Sequence, residues 1–245
     1  MPGPRFLVAH ACVLIGLAAA GVSAASTAPV VDRSIRLGAS VQGRTITVIE
    51  RGDPNGPKVL VVGCVHGNEP AGIRVAAWLQ RARPPAGIDL WILPDLNPDG
   101  VHAGTRGNVH GVDLNRNFPW HWRHLKGLFY SGRRPLSEPE SRLAARLIVR
   151  LRPRITIWFH QPFDVVDESG GAVSKERRFA RLARLPLRRL TRFPGSAASW
   201  ENALLPESSA FVVELPQGPP SAAAVARYAR ATLAIASSAG SDGGR

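Results

Sequence analysis

Three apolar segments of this chain end at, or are followed by, residues that can bind a metal ion or transfer a proton. His66 and Glu69 follow the segment "VLVVGCV", and His160 ends the segment "ITIWFH". Glu214 follows the segment "AFVV". Ligands of open α/β sheets bind at the carboxyl ends of the strands, so we expect these side chains to share one crevice. Two histidines and one carboxylate form the ligand set of a zinc site that keeps one position open for water.

Either of the two glutamates could complete this ligand set. Glu69 stands three residues after His66, and a tight turn can direct both side chains at one ion. Glu214 would then be free to act as a base. Each feature is common when it occurs alone, because His-x-x-Glu also begins surface helices and a histidine at a strand end is more often a hydrogen-bonded core residue. The interpretation therefore depends on what lies between these residues.

The hydrophobic pattern places these residues in an α/β domain. Apolar runs predict strands at 44–52, 59–65, 88–96, 154–162 and 210–218. Helical spacing predicts helices at 71–83, 137–151 and 221–236, and a basic amphipathic segment at 174–193. Residues 26–33 are expected to form a polar leader, and 101–136 a long loop of the kind that usually carries function. The alternation of strands and helices favours an α/β sandwich in one domain.

Composition limits the classes of partner. The chain has 245 residues and a formal net charge of +13, and 28 of its 31 basic residues are arginine. This bias is typical of a GC-rich genome, but the charge also favours an anionic partner such as cell wall. Nucleic acid is not expected, because the basic segment 175–192 contains eight Lys and Arg residues but only Phe179 to stack on bases.

The first 25 residues resemble a secretory signal peptide. Arg5 precedes an apolar run of about 17 residues, and a small-residue cleavage pattern follows near Ala24 or Ala25. The alternative is an uncleaved membrane anchor, although the run is short and rich in Ala and Gly. We expect a secreted protein of the cell wall or periplasm with no stable membrane anchor after cleavage. Cleavage would remove Cys12 and leave Cys64 alone, so no disulfide is expected.

The string "LNPDGVHAGTRGNVHGVDLNRNFP" at 96–119 resembles the zinc carboxypeptidase family of the pancreatic A/B type. The bacterial branch of this family includes the murein tripeptide amidases. The other family motifs occur in order: "HGNE" precedes the string, and "FHQP" and "VVELP" follow it. The resemblance covers residues 34–236 and implies a three-layer α/β/α sandwich with a mixed, mostly parallel central sheet. Residues 237–245 are then expected to be a disordered tail.

The resemblance also implies the composition of the metal site. His66, Glu69 and His160 would bind one Zn²⁺ ion per chain. Asp113 would accept a hydrogen bond from the outer ring nitrogen of His66, which fixes the tautomer of the imidazole and raises its basicity as a ligand.

The remaining motif residues are implied to act on the substrate. Glu214 would act as the base and then as the acid in amide hydrolysis. Arg106 would polarise the scissile carbonyl and stabilise the oxyanion. Asn115 and Arg116 would bind the free carboxylate of the substrate, since a planar guanidinium suits a bidentate carboxylate contact.

The substrate pocket departs from the pancreatic pattern. Leu190 stands where the pancreatic enzymes carry a mobile tyrosine, and Trp200 is a candidate to form the pocket wall instead. Three acids after His160 are candidates to hold the free amine of a diaminopimelate-type side chain: Asp164, Asp167 and Glu168. The alternative for these acids is a solvated loop.

These observations predict a secreted zinc metallocarboxypeptidase or amidase that hydrolyses the amide bond next to a free carboxylate. Murein peptides are the expected substrate, because "LSEPES", "PGSAASW" and the proline after Glu214 match the murein amidase branch. A general peptide carboxypeptidase of broad specificity is the alternative. An acylase of N-acyl amino acids and a non-catalytic binding homologue are weaker alternatives.

Overall fold

Eight strands form one sheet within residues 30–240, which the computed structural model describes together with residues 1 and 3. The strands are β1 (Val31–Ala39), β2 (Thr45–Gly52), β3 (Lys58–Val62), β4 (Asp89–Leu93), β5 (Ile155–His160), β6 (Phe163–Asp167), β7 (Leu187–Arg188) and β8 (Ser209–Pro216). The α-helices of this part are α1 (Ala71–Leu79), α2 (Pro98–Ala103), α3 (Pro139–Leu151), α4 (Val173–Ala183), α5 (Ala197–Leu204) and α6 (Ala222–Ala236). Single 3₁₀ turns at Leu114–Arg116 and Gly127–Phe129 interrupt the long loop.

The sheet is mixed, with a parallel centre. Its order is β1-β2-β4-β3-β5-β8-β6-β7. The four central strands β4, β3, β5 and β8 are parallel to one another. At one edge β2 and β1 are antiparallel to their neighbours, and at the other edge β6 is antiparallel to β8. The parallel centre places the carboxyl ends of four strands at the same edge of the sheet, where open α/β sheets bind ligands.

Two apolar cores cover the two faces of the sheet. Side chains alternate between them along each central strand, as the period of two requires. In β3, Val59 and Val61 join the core formed with α1, α4 and α6, whereas Leu60 and Val62 join the core formed with α3 and α5. Helices on both faces of a mixed sheet confirm the predicted three-layer α/β/α fold.

Several elements differ from the sequence prediction. The stretch predicted as a polar leader contains the start of β1, an edge strand whose largely exposed face gives little hydrophobic signal. Neither β6 nor α5 was predicted. The predicted strand 59–65 ends at Val62, and a loop then carries the chain to α1. The predicted turn at 97–100 begins the short helix α2, because the Asn97 side chain accepts a hydrogen bond from the backbone N–H of Gly100.

The structure describes only part of the two chain ends for which a signal peptide and a disordered tail are predicted. The predicted signal peptide, residues 1–25, lies outside the described residues apart from residues 1 and 3. Within the described residues no helix is long and apolar enough to cross a membrane. The predicted tail 237–245 begins with ordered turns, and Ala239 is buried in the core, while residues 241–245 lie outside the described part. Cys64 is a buried free thiol.

Candidate metal centre and active site

The sheet itself brings two of the predicted residues together. β5 ends on His160, and the parallel register pairs His160 with Glu214 of β8. Because adjacent parallel strands share their ends, the two residues lie at the same edge of the sheet although 54 positions separate them. Both side chains are buried.

A close-packed loop brings in the other two residues. After β3, the backbone N–H of Glu69 donates to the carbonyl of His66 at 2.9 Å, which closes a tight turn. Gly67 inside this turn lies against the backbone of Gly100 with no room for a Cβ atom, so only glycine fits there. The turn directs His66 and Glu69 towards His160, and Glu69 immediately precedes α1.

The three predicted ligands converge on one point. His66 Nδ1 lies 2.9 Å from Glu69 Oε2, and His160 Nδ1 lies 3.1 Å from the same oxygen. The two Nδ1 atoms are 3.2 Å apart. The ligand atoms of the three residues all lie within 4.8 Å of one another. Glu69 rather than Glu214 therefore completes the predicted set, which is the alternative that the sequence alone left to be decided.

Asp113 determines which ring nitrogen of His66 carries the proton in the neutral imidazole. Its Oδ1 atom lies 2.8 Å from His66 Nε2, and its Oδ2 atom accepts a hydrogen bond from Arg106 Nε at 2.9 Å. His66 and Arg106 hold the pKa of Asp113 well below its usual range despite its burial, so the carboxylate is ionised and can only accept. His66 Nε2 therefore donates, and in the neutral ring Nδ1 is left unprotonated.

This arrangement fits a bound cation. In the neutral ring, His66 Nδ1 and Glu69 Oε2 would be two acceptors 2.9 Å apart, which require a proton or a metal ion between them. Burial alone would lower the pKa of His66, but Asp113 and Glu69 outweigh it and raise the pKa. Burial likewise opposes ionisation of Glu69, yet the two histidines hold its pKa far below the usual range. Two imidazoles and a carboxylate are the donor set that suits Zn²⁺.

Arg106 lies next to this cluster rather than apart from it. Its Nη1 atom donates to Glu69 Oε1 at 2.8 Å, and its Nε atom donates to Asp113. Its backbone carbonyl accepts a hydrogen bond from Asn97, which also bonds to the carbonyl of Val65 in the loop after β3. Arg106 is thus held against both carboxylates while its remaining donors line the cavity.

Glu214 differs from the other two carboxylates of the site. Its Oε2 atom is buried and has no hydrogen-bond partner among the described residues. Burial raises the pKa of Glu214, and neighbouring His160 only partly opposes this effect. A carboxyl group with a raised pKa and a free oxygen at the cavity wall is suited to proton transfer.

Asn115 and Arg116 follow Asp113 in a 3₁₀ turn that Asp113 caps. The guanidinium of Arg116 lies 4.4 Å from the ring centroid of Phe193 and 5.2 Å from that of Phe129. Its Nε atom is buried and has no hydrogen-bond partner among the described residues. Burial lowers the pKa of Arg116, but a guanidinium keeps its charge at neutral pH. A buried cation with a free donor is suited to bind a carboxylate.

Packing also holds this turn in place. Asn115 Oδ1 accepts a hydrogen bond from the backbone N–H of Ala197 at the start of α5, and Asn115 Nδ2 lies 3.4 Å from His160 Nε2. Gly195 lies against the backbone of Arg116 so closely that a Cβ atom would clash, and its φ is +77°. The segment before α5 thus fixes the position of the predicted carboxylate-binding pair.

A cavity of about 470 Å³ opens next to the cluster of His66, Glu69 and His160. It is lined by the predicted site residues His66, Glu69, Arg106, Asn115, Arg116, His160 and Glu214. Asp167 also lines it, whereas the other two candidate acids, Asp164 and Glu168, do not. Leu190 lines the cavity as expected for its position, but Trp200 packs against Phe118 instead of forming the wall.

Sequence reasoning named Asp167 as a candidate but missed its partners and the aromatic residues Phe129 and Phe193 of this cavity. Asp167 Oδ2 accepts a hydrogen bond from Ser169 at 2.8 Å and lies 3.8 Å from Arg192 Nη1. Phe129 and Phe193 stack on each other with ring centroids 5.4 Å apart, and the guanidinium of Arg116 lies against both rings. These residues stand in segments with no motif, so only Asp167, an acid shortly after a metal-ligand histidine, carried a signal.

Comparisons with known proteins agree with this geometry. The profile of the zinc carboxypeptidase family matches residues 86–167, which include Arg106, Asp113, Asn115, Arg116 and His160. Murein peptide amidase A of Escherichia coli K12 is 29% identical over 157 residues, which cover 58% of this chain and 64% of that protein. Carboxypeptidase SOL1 of Arabidopsis thaliana is 38% identical over 106 residues, covering 36% of this chain and 22% of that protein.

Solved structures extend the likeness over most of the described chain. The crystal structure of murein-tripeptide amidase from Escherichia coli O157 superposes with a TM-score of 0.71 at 25% identity, covering 83% of this chain and 91% of that one. Bovine thrombin-activatable fibrinolysis inhibitor shares the fold, with a TM-score of 0.72 at 19% identity over 85% of this chain and 90% of that one.

Within the described residues, the fold and the site thus define an α/β protein with a buried His₂Glu cluster that could hold a metal ion at the carboxyl end of its sheet. The chain resembles the zinc carboxypeptidase family, whose profile matches residues 86–167. The metal of this family is zinc, and His66, Glu69 and His160 are the residues that would hold it here. By sequence, the match spans less than two thirds of the length of the murein peptide amidase of E. coli.

Proposed function

We propose that this protein is a zinc-dependent carboxypeptidase or amidase that hydrolyses the amide bond next to a free carboxylate. The convergence of His66, Glu69 and His160 beside a cavity that also contains Glu214 and Arg116 carries the proposal. A metal site, a carboxyl group with a free oxygen and a buried guanidinium are the three components that such a hydrolysis requires.

Each residue has a defined part in the proposed reaction. When bound, zinc supplies a Lewis acid at the scissile carbonyl and lowers the pKa of water. Arg116 holds the terminal carboxylate and so places the preceding amide next to the metal site. Glu214 accepts a proton from the attacking water and transfers it to the leaving nitrogen as the carbon–nitrogen bond breaks. Arg106 donates to the carbonyl oxygen as negative charge develops there.

We further propose that murein peptides are the natural substrate and that the protein is exported. The murein peptide amidases of E. coli among the relatives support this substrate. The N-terminal apolar run with its cleavage pattern supports export, and the net charge of +13 favours the anionic cell wall. Asp167 lines the cavity, and in this proposal it binds the free amine of a diaminopimelate side chain.

The proposal is tested by an activity screen of the purified protein with zinc. The substrates are L-Ala-γ-D-Glu-diaminopimelate and a panel of blocked dipeptides, and Glu214→Gln serves as the control. Release of diaminopimelate that the variant abolishes would support the murein amidase. Release from ordinary dipeptides alone would replace it with a general carboxypeptidase, and absence of any turnover with zinc bound would contradict an enzymatic function on these substrates.

A further inference from the structure

A second cavity of about 660 Å³ shares part of its wall with the first and includes Glu69 of the His66, Glu69 and His160 cluster in its lining. The two cavities share five lining residues: Glu69, Arg106, Leu128, Gln161 and Pro162. The shared wall contains a metal ligand and the arginine next to it. The two cavities therefore form one cleft that is divided at the metal site.

The proposed carboxylate-binding pair, Asn115 and Arg116, determines the orientation of a substrate in this cleft. Asn115 and Arg116 line the first cavity but not the second. If the proposed function holds, on which this inference rests, the residue with the free carboxylate occupies the first cavity. The scissile amide then lies at the shared wall, and the acyl residue before it can only extend into the second cavity.

The second cavity has a preformed wall. Gln161 Oε1 accepts a hydrogen bond from the backbone N–H of Ala71 at the start of α1, and its Nε2 atom donates to the carbonyls of Pro216 and Gly218. Four prolines contribute to the lining: Pro70, Pro162, Pro219 and Pro220. The ring of proline restricts the backbone, so this wall needs little ordering when a ligand binds.

The charge of this cavity is positive. Its charged lining residues are Glu69, Arg74 and Arg106. Glu69 is held by the two histidines, and Arg106 is paired with Glu69 and Asp113. Arg74 donates from Nη1 to the carbonyl of Pro220 at 2.8 Å, and no carboxylate among the described residues pairs with it. Its remaining guanidinium donors are therefore left without a carboxylate partner in the described part of the chain.

We propose that the second cavity binds an acyl residue that carries its own carboxylate, and that Arg74 selects for this carboxylate. An anchored guanidinium with unpaired donors binds a carboxylate in preference to the neutral amide of the same shape. A γ-linked glutamyl residue with a free α-carboxylate has this chemistry, and its α-carboxamide does not. Arg74 is a specificity residue in this proposal and takes no part in bond cleavage.

The test uses two tripeptides that differ in one group. L-Ala-γ-D-Glu-diaminopimelate carries the free α-carboxylate, and its α-carboxamide analogue lacks the charge. The protein with zinc is compared with Arg74→Gln and with Arg146→Gln, a matched control at an exposed arginine of α3. We expect Arg74→Gln to lower kcat/KM for the carboxylate about fivefold, the upper end for an exposed ion pair, and to leave the amide unchanged. The preference should weaken as salt is raised.

The outcomes separate this inference from the proposed function. Equal turnover of both tripeptides by the unaltered protein, or an equal loss on both in Arg74→Gln, would overturn the role of Arg74 while the hydrolase stands. If neither tripeptide is cleaved, calorimetric binding to Glu214→Gln with and without Arg74→Gln decides. Tighter binding of the carboxylate that depends on Arg74 supports the inference even then, and equal binding overturns it.

Discussion

Two buried glutamates of this protein, Glu69 and Glu201, have opposite electrostatic surroundings. Glu69 contacts His66, His160 and Arg106, all of them cationic or able to become so. These contacts keep its pKa far below the usual range. The carboxylate is therefore ionised where it lines the cleft.

Glu201 of α5 is enclosed in the protein with neutral partners. Its Oε1 atom accepts hydrogen bonds from Thr156 at 2.5 Å and from Ser208 at 3.2 Å. Its Oε2 atom has no partner among the described residues. Burial raises the pKa of Glu201 to about 7, and the two hydroxyl groups only partly oppose this effect.

The comparison shows what distinguishes a buried acid at a metal site from one in a core. Both are buried in the same fold, so burial alone does not identify function. Nearby imidazoles and a guanidinium stabilise the charged form, which is the form that binds a cation. Hydroxyl partners stabilise the charged form less, so the neutral carboxyl remains populated near pH 7. An enclosed neutral carboxyl group does not bind a metal ion.

The largest expected effect is the difference in zinc binding between substitutions at Glu69 and at Glu201. Glu69→Gln should abolish stoichiometric zinc binding and activity, because a neutral amide replaces the ionised ligand. The isosteric change Glu201→Gln should leave zinc content at one ion per chain. Atomic absorption on dialysed proteins measures both. Zinc retained in Glu69→Gln, or lost in Glu201→Gln, would contradict the assignment of the two sites.

The next effect concerns Glu214, another buried glutamate that lines the cavity. Glu214→Gln removes the proton acceptor without removing a ligand, so we expect kcat to fall about 10²- to 10⁴-fold while zinc stays bound. Steady-state kinetics together with metal analysis separate the two quantities. A variant that loses zinc as well would place Glu214 among the ligands instead.

A third effect concerns stability and pH at Glu201. Its pKa is about 7 when folded against 4.5 for the ordinary group, so between these values the folded state binds a proton that the unfolded state has released. Stability from this group is therefore complete below about pH 4.5 and is lost as the pH rises to about 7, by roughly 3 kcal/mol at most. We expect Glu201→Gln to exceed the unaltered protein in free energy of unfolding above pH 7. Urea titrations at pH 5 and pH 8 measure this difference, and equal pH slopes for the two proteins would refute it.

The smallest expected effect is a reduced zinc affinity when Asp113, the partner of His66, is changed. Asp113→Asn keeps the shape of the side chain but weakens its hold on His66 Nε2 and Arg106 Nε. We expect zinc affinity to fall about 10- to 100-fold, as for other partners of metal-bound histidines. Competition with a chelator of known affinity gives the ratio. Asp95→Asn, a change at a carboxylate that contacts no ligand of the site, provides the comparison and should leave the affinity unaltered.

Local patterns in the sequence determined much of this protein. Apolar runs located the central strands, although β3 proved shorter than its run. The order of the motifs around His66, Arg106 and Asp113 indicated the family, because each motif is a short segment whose residue types and spacing are visible without a structure. The edge strand β1 escaped detection because its exposed face carries polar residues.

Only the tertiary structure decided which residues meet. The turn after β3, which depends on the contact of Gly67 with Gly100, brings Glu69 rather than Glu214 into the cluster with His66 and His160 that could hold a metal ion. The cleft draws on segments that carry no shared pattern, so the places of Phe193 and Arg74 in it could not be read from sequence. The physical reason is that a motif records local spacing, whereas a binding cavity is formed by side chains from distant segments when the sheet and its covering helices pack together.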